Sequence, residues 1–288
     1  MQFRHQMDKN KQQTISAGLY LISTPIGNME DITYRALNIL KKSDIILCED
    51  TRRSAKLLSY FKIKNKLLAY HKFNEEKVSS QIIDFIKKNK IVSLISDAGT
   101  PVISDPGSVI VNKCIEANLM ICPIPGPSAV TAAVSISGFS DRYLFFGFLA
   151  KKEKELEKIF KNFCDIDYSL VFFIPSSKIN FYLLQFKKYF LDRKILIAKE
   201  ITKFHEEFIR GSVQSINSLP EGLKGELTIV LSEKSKEKNI KKKINESVKI
   251  EIKKMLIKYT LKDVVEFISK KENLPKKLIY GYCLKLKK

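Results

Sequence analysis

The chain has 288 residues, 44% of them apolar, and a formal charge of +20. That is enough apolar material for a sizeable core in one or two domains, and the absence of an 18-residue apolar run argues against a membrane span. The charge favours an acidic partner such as nucleic acid, and 18 lysines against 6 acidic residues from Lys234 to Lys288 concentrate it at one end. A lysine-rich chain with solvated helix faces accounts for the same charge without a partner.

In chain order, the polar start "MQFRHQMDKNKQQTIS" lacks the apolar segment of a secretory signal and reads as a flexible tail over residues 1–16 of a cytoplasmic protein. From Gly18 to about Leu149, short apolar runs alternate with longer amphipathic ones: "LYLIS" with "ITYRALNILKKS", "DIILCE" with "TRRSAKLLSYF", "KLLAYH" with "EEKVSSQIIDFIKK", "IVSLIS" with "DPGSVIVNKCIEA". This pattern predicts βαβ units on a mainly parallel sheet, an α/β domain over 17–149. Asp31 and Asp105 read as helix N-caps, the first before Ile32 and the second before Pro106. A second α/β domain is expected over 150–232, followed by a charged linker over 233–247 and a basic helical domain over 248–288. Its three short helices have Thr260 and Pro275 as plausible starts.

The five cysteines form no CxxC pair and mostly sit in apolar runs, which suits reduced core thiols. With three histidines in the chain, a His-rich metal site is not expected. There is no GxGxxG, no GxxxxGK[ST] and no GxG, which disfavours the usual dinucleotide and P-loop sites. What remains are four Pro/Gly turns: Pro25-Ile26-Gly27, Gly99-Thr100-Pro101, Pro106-Gly107 and Pro125-Gly126-Pro127. In an open α/β sheet such turns lie beyond the carboxyl ends of the strands, where ligands bind, and glycine lets backbone approach a ligand closely.

The segments "LYLISTPIGNMEDITYRAL", "CEDTRRSAKLL", "YHKFNE", "VSLISDAGTPVISDPG", "PIPGPSAVTAAVSISG", "FFGFL" and "KGELTIVL" resemble the tetrapyrrole methylase superfamily, over about residues 17–232. They resemble in particular its branch of ribosomal RNA methylases. The resemblance implies two α/β domains with an S-adenosylmethionine cleft between them, a homodimer, no metal, and 2′-O-methylation of a cytidine in the decoding region of 16S rRNA in the small ribosomal subunit. It assigns cofactor contact to Pro25, Ser96, Asp97, Thr100, Ser128, Ala129 and Ile174. Arg52 and Arg53 become RNA phosphate ligands, and Glu49 and His71 candidates for the proton acceptor. Phe73, Tyr143 and Phe148 could meet RNA bases, although Phe148 reads as core. One departure stands out: where these RNA methylases carry an aromatic-Glu-Ser segment, this chain has "FFIPSSKI", with Pro175 in place of the acid. Two other readings stay open, a methylase of a tetrapyrrole small molecule and a non-catalytic RNA-binding partner of the ribosome.

Overall fold

The structure is a computed structural model that describes residues 15–220, 222–234, 244, 246–272, 274 and 276–286. Most of the expected tail and linker, and Pro275, lie outside the described residues. The chain divides into two compact units, Met1–Lys234 and Ser235–Lys288.

The first unit begins with five strands, β1 (Gly18–Ile22), β2 (Ile45–Cys48), β3 (Lys66–Ala69), β4 (Ile91–Ile95) and β5 (Ile121–Ile124). They form one sheet in the order β3-β2-β4-β1-β5 with every pairing parallel. The helices between them are α1 (Tyr34–Lys42), α2 (Thr51–Tyr60), α3 (Glu75–Lys87) and α4 (Ser108–Glu116), and α5 (Ala129–Ser137) follows β5. Strands buried on both faces explain the near-continuous apolar runs, since each face carries its own core. Leu19, Leu47 and Leu94 pack with α3 and α4, while Tyr20, Ile46 and Ile95 pack with α1 and α2.

Two helix starts differ from the expectation. Asp31 ends a short 3-10 turn, and α1 is capped by Thr33, whose hydroxyl accepts the Ala36 N–H at 3.1 Å. Asp105 does not cap α4; Gly107 does, at φ 138°, a region that strains any side chain, and its N–H goes to Glu75 Oε1 at 2.7 Å. An N-cap read from residue type alone cannot foresee a glycine that turns the chain two residues later.

The second sheet contains β6 (Tyr143–Phe148), β7 (Ser169–Pro175), β8 (Lys194–Lys199), β9 (Glu207–Ser212) and β10 (Glu226–Leu231), in the order β6-β7-β10-β8-β9. Only β6 and β7 pair in parallel. Because β6 belongs to this sheet, the second half of the unit starts before residue 150, and Ile174 is the penultimate residue of its second strand. One face packs on α6 (Glu153–Phe163) and α7 (Ile179–Tyr189) through Phe160, Phe172 and Phe186. The other face is covered by α5: Val130 and Ala133 meet Val171, Leu196, Ala198 and Val230. A helix that follows the first sheet therefore roofs the second and holds the two halves of the unit together.

Arg193 is buried behind this sheet, with its guanidinium donating to the carbonyls of Tyr168 (2.9 Å), Ser232 (2.7 Å), Phe163 and Cys164 (both 3.3 Å) and Ile166 (2.5 Å). Its planar fork satisfies chain ends that no strand pairing reaches.

The second unit contains α8 (Glu246–Leu256), α9 (Leu261–Glu272) and α10 (Lys276–Leu286) around Val248, Ile252, Val264, Ile268, Ile279 and Cys283. Thr260 precedes α9, and its hydroxyl accepts the Asp263 N–H at 3.3 Å. Among the described residues no helix is long and apolar enough to cross a membrane.

Candidate functional site

The four Pro/Gly turns follow β1, β4 and β5, two of them after β4, and these three strands are neighbours in the sheet. Three of the turns are laced together. Thr24 and Gly99 exchange backbone hydrogen bonds at 2.9 and 3.0 Å, the Ser23 and Thr100 hydroxyls lie 2.8 Å apart, and Thr100 donates to the Pro127 carbonyl at 3.4 Å. Gly126 presses on Ser23, where a Cβ would sit 2.9 Å from the Ser23 Cβ. Here glycine serves a close backbone approach, turn against turn.

Between this edge and the second sheet lies a cleft of about 560 Å³. Ile26, Gly99, Thr100, Ser128 and Ala129 form its first wall, and Phe173, Ile174, Leu227 and Thr228 face them from β7 and β10. Ser128 precedes α5 but its side chain makes no capping hydrogen bond, so its hydroxyl is not spent on the helix.

The residues expected to meet a cofactor are only partly brought together. Asp97, Thr100, Ser128, Ala129 and Ile174 line the cleft, whereas Pro25 and Ser96 do not. Ser96 is buried and its hydroxyl donates to the Ala98 and Gly99 carbonyls, both at 3.2 Å, so it shapes the turn from behind. Pro25 directs the chain into Ile26, which does reach the cleft. Asp97 accepts from Arg53 Nη1 at 3.1 Å and from the Asp50 N–H at 3.3 Å.

Of the two arginines, Arg53 lines the cleft through this pair. Arg52 is 88% exposed, outside the lining, and forms a two-point pair with Asp50 at 3.1 and 2.8 Å. That pairing, together with the Arg52 N–H, holds the Asp50 carboxyl far below the usual carboxylate range.

Glu49 lines the cleft, but His71 does not. His71 lies two residues beyond the edge strand β3, which β2 separates from β4, and its Nδ1 is buried with no partner among the described residues. Phe148, expected in the core, is 63% exposed and lines the cleft against Phe173, with ring centres 5.3 Å apart. Phe73 is 94% exposed and Tyr143 partly so, both outside the lining. The substituted Pro175 also faces the cleft, and the following Ser176 is buried, donating to the Leu223 carbonyl at 2.7 Å.

Several lining residues were not legible as site residues. Asp105 faces the cleft together with Glu49 and Asp97. Burial, then the Glu49 charge, then that of Asp97 raise its carboxyl to about 6. Left-handed Val102 (φ 74°) and Ser104 (φ 67°) shape the loop that carries it. On the opposite wall, Lys203 lies between Glu200 Oε1 (2.9 Å) and Glu226 Oε2 (3.2 Å), and all three line the cleft. Glu200 (φ 50°) and Thr202 (φ 68°) are left-handed without being glycine, so no punctuating residue announces this turn. Gly225, inside the motif "KGELTIVL", was the available signal: at φ 104° a Cβ would lie 2.5 Å from the Glu200 carboxyl.

Residues 18–217 match the sequence pattern of the family Tetrapyrrole (Corrin/Porphyrin) Methylases. A ribosomal RNA small subunit methyltransferase I of Rickettsia prowazekii is 43% identical over 221 residues, 76% of this chain and 79% of that protein. One of Neisseria meningitidis serogroup B is 33% identical over 290 residues, 99% of each chain. The crystal structure of a diphthine synthase superposes with a TM-score of 0.59 at 15% identity, covering 74% of this chain and 89% of that one, which supports the same fold. With a laced turn edge facing a second, mixed sheet across one cleft, and a match over residues 18–217, the chain belongs to the tetrapyrrole (corrin/porphyrin) methylase family.

Proposed function

We propose that the chain methylates ribosomal RNA of the small subunit with S-adenosylmethionine as donor, and that the acceptor is the 2′-oxygen of a cytidine in the 16S decoding region. The observation that carries this reading is the cleft, lined jointly by both sheets, in a chain similar along 99% of its length to a protein named for small-subunit rRNA methylation. The cleft suits such a donor. Its volume matches a ligand of that size, Ile26, Phe173, Ile174 and Leu227 offer apolar surface, and Asp97, Thr100 and Ser128 offer acceptors for an amine and ribose hydroxyls.

The donor would supply an electrophilic methyl group on a sulfonium. The residues of this chain then have three tasks. Asp97, Thr100, Ser128, Ala129 and Ile174 hold the donor in one orientation, with Arg53 fixing Asp97 and with Pro25 and Ser96 fixing the turns. The walls of the cleft align the acceptor oxygen, and positioning of this kind supplies the larger part of the rate. Asp105 accepts the hydroxyl proton. Its raised carboxyl sits nearer the working pH than an ordinary aspartate, and Glu49 beside it keeps it there. Glu49 is the other candidate for that proton.

An irregular or single-stranded RNA segment fits the cleft better than a duplex, because its 2′-hydroxyls and bases can be splayed out. Arg52, exposed at the start of α2, serves as a phosphate contact near the mouth. The basic helical unit, with Lys253, Lys254, Lys258, Lys262 and Lys270 exposed, supplies further phosphate contacts. A cytoplasmic homodimer completes the reading. Incubating the protein with methyl-labelled S-adenosylmethionine and either small subunits or a tetrapyrrole tests it: label should enter RNA at a cytidine ribose. Label in the pigment, or in neither, would overturn it.

A further inference from the structure

Resting on the reading of RNA as substrate, we infer that Phe204 is a stacking platform for a nucleobase of the RNA strand held at the cleft mouth. Phe204 sits in the loop between β8 and β9 and is 96% exposed. A ring left so open forgoes burial worth roughly 1.5–3 kcal/mol for a large apolar side chain. Here it is not left on a loose segment.

The loop is pinned on every side. Inside it, Lys203 N–H bonds the Glu200 carbonyl at 2.9 Å, Glu206 N–H bonds the Lys203 carbonyl at 3.1 Å, and Thr202 N–H bonds Glu206 Oε1 at 2.6 Å. Across to the first half of the unit, the Asn28 N–H bonds Thr202 Oγ1 at 3.0 Å. Gly27 is packed so tightly that a Cβ would fall 2.4 Å from Lys203 Cγ. Left-handed Glu200 and Thr202 hold this shape at a cost in backbone strain. The ring is thus aimed outward by a rigid turn that also bridges the two walls of the cleft.

Its neighbours place it at the mouth. Ile201 and Lys203 line the cleft on either side of Thr202, and Lys203 immediately precedes the ring. Two other aromatic rings are as open, Tyr34 at 93% and Phe73, but neither has a sequence neighbour in the cleft lining. The local chemistry selects a base over a phosphate. Glu200 and Glu226 pair with Lys203, Glu207 pairs with Lys199 at 3.1 Å, and Glu206 is committed to Thr202. His205 meets Phe204 edge to face, ring centres 5.0 Å apart, and the ring stays 96% exposed. Four carboxylates around two ammonium groups disfavour a phosphate here, whereas the neutral ring suits the flat, uncharged face of a base, and every base has such a face.

The chain contains no tryptophan, so Phe204→Trp introduces a sole indole reporter. Its fluorescence should be quenched by a single-stranded RNA oligonucleotide of the decoding-region sequence and unaffected by S-adenosylmethionine alone. Phe204→Ala should raise the KM for small subunits by about 5- to 150-fold, the range expected when one base stack is removed. Cofactor affinity and the salt slope of RNA binding should stay at the parent values, and Phe204→Trp should restore the KM. An unchanged KM in Phe204→Ala, or a loss that Phe204→Trp does not restore, would overturn the inference. A changed sedimentation coefficient with an unchanged KM would assign the ring to a contact with a second copy instead. If the parent chain itself transfers no label to RNA, the underlying reading fails, an outcome distinct from failure at Phe204 alone.

Discussion

Replacing Asp105 by Asn separates stability from catalysis at one atom. The carboxyl is raised from 3.8 to about 6, chiefly by burial and then by Glu49. The sign follows from proton counts. Between those two values the folded state holds a proton that the unfolded state has released, so the stabilisation is fully present below pH 3.8 and is lost as pH rises through about 6. At 1.36 kcal/mol per pKa unit the full loss would be about 3 kcal/mol. Solvent reaches this half-buried group, so a loss of about 1–2 kcal/mol is the reasonable expectation. Asn, neutral and nearly isosteric, escapes the loss. Urea unfolding should therefore find Asp105→Asn gaining about 1–2 kcal/mol over the parent as pH rises from below 3.8 to above about 6. The same variant should lose about 100-fold or more in kcat, the usual contribution of a general base. The acid limb of the parent's pH–rate profile near pH 6 should disappear with it. A variant that keeps kcat within a few-fold, with the limb intact, would refute the role of Asp105. A stability difference that does not change with pH would refute the account of its burial.

Asp97→Ala and Gly126→Val should each weaken S-adenosylmethionine binding in calorimetry, the second because its side chain collides with Ser23 and spreads the laced turns; unchanged affinity in both would remove the proposed site. Arg53→Ala should weaken cofactor binding along with activity, since Arg53 holds Asp97, whereas Arg52→Ala should reduce methylation with a small change in the salt slope of RNA binding. Arg193→Leu should cost about 3–5 kcal/mol in denaturant unfolding, as it strips five carbonyls, one buried and four part-buried, of a charged donor at once. Deleting residues 235–288, a separate compact unit, should leave cofactor affinity near the parent value. It should lower the magnitude of the salt slope of RNA binding by roughly 0.7–0.9 for each phosphate that is no longer neutralised; no change would assign RNA recognition to the first unit alone.

The mainly parallel sheet and the Pro/Gly turns after β1, β4 and β5 were legible in the sequence, because each rests on local patterning. Doubly buried strands must read as apolar runs, and a turn that brings backbone close to backbone must use Gly and Pro. Asp97, Thr100, Ser128 and Ile174 were named by resemblance to the family, and they line one cleft. What tertiary structure decided was adjacency. Strand order set β2 between β3 and β4, and His71 is not among the residues that line the cleft, although its motif looks as suggestive as "CEDTRR". Asp105 passed for a helix cap until Gly107 took that place, leaving the carboxyl beside Glu49 and Asp97. Phe148 counts as core by composition, yet the cleft between the sheets leaves it open. The loop bearing Lys203 and Phe204 has neither Gly nor Pro; its shape comes from Asn28, Gly27 and Glu226, all distant in sequence. Sequence periodicity reports which residues a strand or helix must bury, whereas the far wall of a cleft is set by contacts such as that of Asn28 with Thr202, 174 residues apart, and no local pattern encodes those.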